Sequence, residues 1–182
     1  MIKLKHLIPN QYAESIYNID YDMLIKQGIK TLLFDLDNTI IDYNQTKLNA
    51  ESITFLNKLE KDFKVIIISN SMNKRVSHAI EKQFKFISFA KKPLKFGFKK
   101  ALKMIGSTIQ ETVMIGDQLL TDIYGANRLG LATILVDPIQ KKTDKWPTRF
   151  NRKLEKYLLK KIERKYPEAY QKGLNIYAIK HY

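Results

Sequence analysis

The chain has 182 residues, 45% of them hydrophobic, which is enough for the core of one ordinary domain. It contains no cysteine, so disulfide bonds, thiolate metal sites and cysteine nucleophiles are excluded. No apolar stretch approaches the roughly 18 residues that a membrane-spanning helix requires. The segment from Met1 to His6 also lacks the apolar run of a signal peptide. We therefore expect a cytoplasmic protein.

The formal net charge is +14, and most of the excess lies near the C-terminus. Residues 141–182 contain 13 Lys and Arg but only four Asp and Glu, a balance of +9. A basic surface favours polyanionic partners, such as an anionic membrane, a nucleic acid or a phosphorylated substrate. The alternative is an ordinary solvated surface rich in lysine.

Apolar strand patterns alternate with helical patterns along the chain. A short helix ending at Lys26 comes first. The predicted strands are residues 30–35, 64–69, 86–90, 112–116 and 132–136, and the helices between them are residues 49–63, 74–84, 97–105 and 122–129. Such an order indicates an α/β fold, a Rossmann-like parallel sheet with helices on both faces. We assign residues 1–140 to this domain and residues 141–182 to a basic helical tail, packed on it or extending from it.

Two carboxylates directly follow the first predicted strand, at Asp35 and Asp37. Ligands bind beyond the carboxyl ends of the strands in such sheets, so this is where a site is expected. Two carboxylates this close repel each other unless a cation neutralises them, and Mg²⁺ prefers oxygen ligands. The alternative is a turn or a helix N-cap, where Asp is common.

The next two strands also end in polar residues. Ser69 and Asn70 end the second strand, where a hydroxyl group and backbone N–H groups can hold phosphate oxygens. Lys92 follows the third strand and places a compact positive charge there, which suits a phosphate. Read alone, Ser69 and Asn70 favour an ordinary N-cap before the next helix, and Lys92 favours a surface lysine.

The fourth strand ends in Gly116 and Asp117, and Asp122 follows five residues later. Glycine permits close approach of the backbone, and Asp117 adds a carboxylate to the expected metal site. The alternative is again a turn. No one of these strand ends is decisive, but together they carry carboxylates, a hydroxyl and a lysine in a fixed order.

These residues resemble, in content and order, the four motifs of the haloacid dehalogenase (HAD) superfamily, beginning with Phe34-Asp35-Leu36-Asp37-Asn38-Thr39. The wider chain, including Leu7-Ile8-Pro9 and Thr148-Arg149-Phe150-Asn151-Arg152, is most similar to the YqeG-type members of subfamily III. Related sequences in that group are phosphatidylglycerophosphate phosphatases.

The resemblance implies a Mg²⁺-dependent phosphomonoester hydrolase. Asp35 would be the nucleophile that forms an aspartyl-phosphate, and Asp37 the general acid and base. The implied metal ligands are Asp35, the backbone carbonyl of Asp37, and Asp117. The implied substrate-binding residues are Thr39, which also supports the nucleophile loop, and Ser69, Asn70 and Lys92, with Asp122 orienting Lys92 or a metal-bound water.

The intervals between the motifs are too short for a cap domain, since 31 residues separate Asp37 from Ser69 and 22 separate Ser69 from Lys92. An open site suits a phosphate carried on a bulky body. Residues 151–166 combine an apolar stripe with a basic face, which predicts either a helix lying on an anionic membrane or a helix packed on the sheet.

We therefore expect phosphatidylglycerophosphate as the substrate, with peripheral contact to the inner face of the membrane. The alternative substrates are phosphorylated nucleic-acid ends, nucleotides or other soluble phosphomonoesters. A non-catalytic scaffold is disfavoured because the motif set is intact.

Overall fold

The computed structural model describes residues 2–81, 83–143 and 146–182. Six strands form a parallel sheet in the order β1-β6-β5-β2-β3-β4. The strands are β1 (Gln11–Ala13), β2 (Thr31–Phe34), β3 (Lys64–Ile68), β4 (Lys85–Ile87), β5 (Thr112–Gly116) and β6 (Ala132–Val136).

The connections between the strands are helical. The α-helices are α1 (Tyr21–Lys26), α2 (Ala50–Leu59), α3 (Asn73–Ile80), α4 (Lys95–Ile105), α5 (Tyr124–Asn127), α6 (Trp146–Lys165), α7 (Pro167–Ala169) and α8 (Asn175–His181). Short 3₁₀ turns cover Leu4–Leu7, Ile16–Asn18 and Lys141–Thr143, and π-helical turns cover Leu119–Ile123 and Tyr170–Leu174.

The predicted α/β fold is confirmed, and all five predicted strands are present. The edge strand β1 was not predicted, because its three residues are half-buried and carry no apolar run. It joins the sheet by pairing with β6, where Tyr12 lies opposite Leu135.

Four predicted helices differ from the structure by three or more residues at a boundary. Helix α2 ends at Leu59 rather than at residue 63. The helix expected at residues 122–129 is instead a π-helical turn, Leu119–Ile123, that runs into the short α5. Helix α3 ends at Ile80 rather than at residue 84, because Glu81 adopts a left-handed φ of 47° and closes the helix. Helix α6 begins at Trp146, five residues before the predicted start.

Alternate residues of each central strand face opposite sides of the sheet, which produces two apolar cores. Leu32 and Phe34 pack with residues of α1, α2 and α3 on one face. Leu33 packs with Phe98 and other residues of α4 on the opposite face. Because helices cover both faces, β2 and β5 are fully buried, and only their ends can carry polar groups.

The C-terminal helices pack against the β6 side of the molecule. Leu158, Leu159 and Ile162 of α6 are buried in a third apolar cluster that includes Leu135 of β6 and Tyr177 of α8. The apolar stripe of the tail therefore contacts the domain, and its basic face points outward.

No cap domain is inserted in the described part of the chain. The described residues between Asp37 and Ser69 form α2 and β3, and those between Ser69 and Lys92 form α3 and β4. Among all the residues that the structure describes, no helix has both the length and the apolar content needed to cross a membrane.

Candidate active site

The register of the sheet brings three of the predicted motifs to one edge. Phe34 of β2 lies opposite Ile67 of β3 and Ile115 of β5. Asp35 follows Phe34 directly, and Ser69 and Asp117 each lie two residues beyond those partners. The carboxyl ends of the three central strands therefore meet at a single site.

Lys92 is the positive centre of this site. Its buried ammonium lies 2.6 Å from Asp35 Oδ1 and 2.7 Å from Asp122 Oδ1, and it also donates to the carbonyl oxygen of Ile68 at 2.8 Å. Burial alone would lower the pKa of Lys92, but the two carboxylates outweigh it and raise that pKa above its usual range. Lys92 therefore stays positively charged, and it links Asp35, which follows β2, to Asp122, which lies beyond the end of β5.

Three buried carboxylates converge here, from Asp35, Asp117 and Asp122, with one oxygen of each within 4.8 Å of the others. Burial raises the pKa of Asp35 well above its ordinary value; Lys92 opposes the rise, while Asp122 and Asp117 add to it. Lys92 and the Arg152 guanidinium, which pairs with Asp117, supply two positive charges against three carboxylates. Negative charge remains, which a divalent cation would neutralise.

Gly116 makes the close approach of Asp122 possible. A Cβ atom at position 116 would lie 2.6 Å from Cβ and Cγ of Asp122, closer than real contacts allow. The Asp122 carboxylate also accepts from the backbone N–H of Gln118 at 3.1 Å, which fixes its orientation. The close packing of Asp122 against position 116 therefore explains why a glycine stands at this strand end.

Asp117 is held from two sides. Thr39 Oγ1 lies 3.3 Å from Asp117 Oδ1 and 3.5 Å from Asp35 Oδ2, so that it bridges the two carboxylates. Arg152 of α6 forms a buried ion pair with Asp117 Oδ2 and donates to the Asp117 carbonyl oxygen at 2.9 Å. The C-terminal tail is therefore in direct contact with the predicted metal-binding region.

A second acid supports Arg152. Glu155 Oε2 lies 3.7 Å from the Arg152 guanidinium and accepts from the hydroxyl of Tyr182 at 3.0 Å. Burial raises the pKa of Glu155 to about 7, and the nearby Arg152 limits that rise. This pair lies behind Asp117, on the side away from the cleft.

Asp37 lies apart from the three converging carboxylates. It accepts from Ser71 Oγ at 2.7 Å and from Ser69 Oγ at 3.4 Å. Arg75 of α3 donates to Asp37 Oδ1 through two nitrogens, at 3.0 and 3.2 Å. These contacts hold the carboxylate of Asp37 at the mouth of the site.

Asn70 contacts the protein backbone in this structure. Its amide nitrogen donates to the carbonyl oxygen of Lys92 at 2.9 Å, and its amide oxygen accepts from the Lys92 N–H at 2.7 Å. Asn70 therefore fixes the loop that carries Lys92, whereas the sequence suggested a direct contact with substrate.

All eight predicted residues lie together, and five of them line a cleft of about 390 Å³: Asp35, Asp37, Ser69, Asn70 and Lys92. Thr39, Asp117 and Asp122 do not line it and contact the site through Asp35 and Lys92. The sequence did not single out several of the cleft and supporting residues. Arg75 belongs to a helix with no motif, and Arg152 lies in the tail segment that carries the family resemblance, where the sequence assigns it no role. The unpredicted cleft-lining residues are Asn38, Tyr43, Ser71, Met72, Arg75, Gln118, Thr121, Thr148 and Asn151.

This chain is similar to the protein named "Probable phosphatase YqeG" of Bacillus subtilis (strain 168). The two are 34% identical over 163 residues, which is 88% of this chain and 94% of that protein. The chain belongs to the YqeG-like phosphatases of the HAD superfamily. As a HAD phosphatase it is a phosphoric monoester hydrolase, and the predicted family is confirmed.

Other comparisons agree with this family. The "HAD-hydrolase-like" family model matches residues 89–145. The "Phosphatidylglycerophosphate phosphatase 1, chloroplastic/mitochondrial" of Arabidopsis thaliana is 26% identical over 170 residues, which covers 87% of this chain and 49% of that protein. The chain also resembles the structure of the HAD-hydrolase YfnB from Bacillus subtilis bound to magnesium, with a TM-score of 0.51 and 17% sequence identity. The match covers 59% of this chain and 88% of that chain, and it supports the same fold.

The ion pair between Arg152 and Asp117 yields a prediction about stability. Arg152→Met removes the partner of a fully buried carboxylate, which costs about 3–5 kcal/mol in comparable buried pairs. We expect the free energy of unfolding in urea to fall by that amount. The matched control is Lys153→Met, an exposed neighbour on the same helix, which should change it by less than about 0.5 kcal/mol. Equal effects of the two variants would show that the ion pair does not stabilise the fold.

Proposed function

We propose that this phosphatase is a Mg²⁺-dependent enzyme that works through an aspartyl-phosphate on Asp35. The observation that carries the proposal is the Asp35 carboxylate at the base of the cleft, beside the buried Lys92 ammonium and two further carboxylates. Hydrolysis by a covalent route divides one difficult displacement into two easier ones.

The residues fit a magnesium ion. Asp35 and Asp117 would hold it together with the backbone carbonyl of Asp37, and Asp122 offers a further carboxylate oxygen nearby. Mg²⁺ prefers hard oxygen ligands, and the three clustered carboxylates leave negative charge for a divalent cation to neutralise. When bound, the ion offsets the charge of the phosphate and of the attacking carboxylate, which otherwise repel each other.

In the first half of the reaction, a carboxylate oxygen of Asp35 attacks phosphorus. A bond forms between that oxygen and phosphorus, the bond from phosphorus to the ester oxygen breaks, and Asp37 gives its proton to the departing alkoxide. Arg75 and Ser71 hold the Asp37 carboxyl group toward the cleft for this transfer.

In the second half, Asp37 takes a proton from water, and the water oxygen attacks phosphorus. The bond between phosphorus and Asp35 then breaks, which releases inorganic phosphate and restores both carboxyl groups. Lys92 and Ser69 would bind the phosphoryl oxygens throughout, so that their donors stabilise the charge in the transition state. Thr39, Asn70 and Asp122 would keep the nucleophile and Lys92 in position.

Asp35→Asn tests the nucleophile. The amide keeps the size of the side chain but is too weak a nucleophile to attack phosphorus, so turnover of p-nitrophenyl phosphate with Mg²⁺ should fall more than about a thousandfold. The control is Asp42→Asn, because Asp42 lies outside the cleft and only caps a turn through the N–H of Asn44. Thermal unfolding should show both variants folded. Wild-type turnover by folded Asp35→Asn would reject Asp35 as the nucleophile.

For the substrate, we propose phosphatidylglycerophosphate, which is dephosphorylated to phosphatidylglycerol at the cytoplasmic face of the membrane. The support is the named activity of the Arabidopsis thaliana relative, which is twice as long as the region that matches, and a cleft over which the described residues insert no cap domain. An uncapped cleft admits a phosphate that stays attached to a bilayer. The basic surface favours an anionic lipid, but it equally suits a nucleic-acid end or a nucleotide, which remain the alternative substrates.

A direct comparison of substrates tests this choice. The enzyme with Mg²⁺ is given phosphatidylglycerophosphate in micelles, a 5′-phosphorylated oligonucleotide and a sugar phosphate, and released phosphate is measured. We expect kcat/KM to be highest for the lipid. Turnover restricted to the soluble substrates would reject the lipid as substrate while leaving the phosphatase activity in place.

A further inference from the structure

We propose that exposed apolar side chains around the cleft form a membrane-contact rim that enters the surface of an anionic bilayer. This inference rests on the proposed lipid substrate, and it names the part of the protein that meets the lipid phase. The rim consists of Met72, Phe89, Leu94, Phe96, Trp146 and Phe150.

The rim lies at the edge of the sheet where the cleft opens. Its members belong to the segments that follow the carboxyl ends of β3, β4 and β6. Met72 lines the cleft itself, as do Thr148 and Asn151, which are neighbours in sequence of Trp146 and Phe150. The loop of Phe89 is tied to the same edge, because the Phe89 N–H donates to the carbonyl oxygen of Ser71 at 2.8 Å.

These side chains are far more exposed than large apolar groups usually are. Trp146 is 78% exposed, Met72 73% and Phe89 60%. The rings of Trp146 and Phe150 stack on each other with centroids 6.2 Å apart, yet both remain open to solvent. A cluster of exposed aromatic and aliphatic groups around an active site marks an interaction surface.

The charge around the rim identifies an anionic partner. Exposed basic residues stand among the apolar ones, and Asp144 is the single acidic residue in the sequence of segments 70–75, 88–96 and 138–150. The Lys91 ammonium lies 5.2 Å from the centroid of the Phe89 ring, which places a positive charge beside an apolar group. The exposed basic residues are Lys74, Lys91, Lys95, Lys142 and Arg149.

Apolar side chains bordered by lysine and arginine are typical of surfaces that lie in the headgroup region of anionic membranes. Tryptophan in particular favours that region, because its ring is both apolar and able to donate a hydrogen bond. A phosphate on a membrane lipid is at the same depth, so insertion of the rim would deliver it to the cleft.

Only the first turns of α6, with Trp146 and Phe150, belong to the rim; the apolar stripe that follows them does not, although its sequence suggested that it might. Leu158, Leu159 and Ile162 are buried against the domain and are not free to enter a bilayer. The basic face of α6 can add electrostatic attraction to an anionic membrane, but the rim makes the apolar contact.

Trp146 offers a direct measurement, because it is the only tryptophan in the chain. The full-length protein is mixed with vesicles of phosphatidylcholine and phosphatidylglycerol, with or without bromine atoms on the acyl chains. We expect the Trp146 emission to shift to shorter wavelength and to be quenched by the brominated lipids, and we expect little change with phosphatidylcholine alone.

A matched pair of variants locates the contact. Phe89→Asn with Phe150→Gln removes two rim side chains that do not line the cleft, and asparagine tolerates the left-handed φ of 47° at position 89. The control, Ile25→Gln with Met104→Gln, removes exposed apolar groups from the C-terminal turns of α1 and α4. The rim variant should bind the anionic vesicles roughly tenfold or more weakly, and the control should bind like the wild type.

The outcomes separate the rim from the proposed substrate. Vesicle binding without quenching of Trp146, or an equal loss in both variants, would overturn the rim. A lipid-free dimer that the rim variant disrupts would also overturn it, because the apolar surface would then belong to a second copy. Quenching without turnover of phosphatidylglycerophosphate would support the rim and reject the substrate. Turnover of p-nitrophenyl phosphate, which should be unchanged in the rim variant, shows that the site is intact.

Discussion

The ammonium of Lys92, buried between the carboxylates of Asp35 and Asp122, is the interaction on which the rest of the site depends. Three carboxylates within 4.8 Å of one another repel strongly in a buried environment, and Lys92 offsets that repulsion for Asp35 and Asp122 as Arg152 does for Asp117. The loop around Lys92 is correspondingly well fixed, with Asn70 pairing to both the N–H and the carbonyl of the lysine. We propose that the same ammonium holds a phosphoryl group once a metal ion shares the charge of the carboxylates.

Much of the fold and of the site could be predicted from the sequence, because both depend on local patterns. Apolar strands alternating with helices specified a parallel sheet, and the strand-end rule then placed Asp35, Ser69, Lys92 and Asp117 at one edge. The residues missed are those whose role depends on contacts between distant elements. Arg75 reaches Asp37 from the exposed surface of α3, where nothing in the local sequence distinguishes it from other surface arginines.

The C-terminal segment shows this limit most clearly. Its alternation of apolar and basic residues fitted both a membrane-bound helix and a helix packed on the domain. The structure shows the apolar stripe packed inside, and it shows Arg152 paired with Asp117, a contact across 35 positions of sequence. The buried part of the tail thus supports the site through Asp117, whereas the exposed apolar groups lie on loops and helix starts around the cleft. Single residues such as Met72 and Phe89, scattered over separate loops, form no periodic pattern in the sequence.

The proposed reaction depends on a covalent phosphate on Asp35, which can be observed directly. The enzyme is mixed with Mg²⁺ and excess p-nitrophenyl phosphate, quenched in acid within the first turnovers, and reduced with borohydride, which converts an acyl phosphate to an alcohol. Peptide mass spectrometry should then find homoserine in place of Asp35, only when substrate was present. Continued turnover with no modified residue, or with the modification at Asp37 instead, would contradict the assignment of Asp35 as nucleophile.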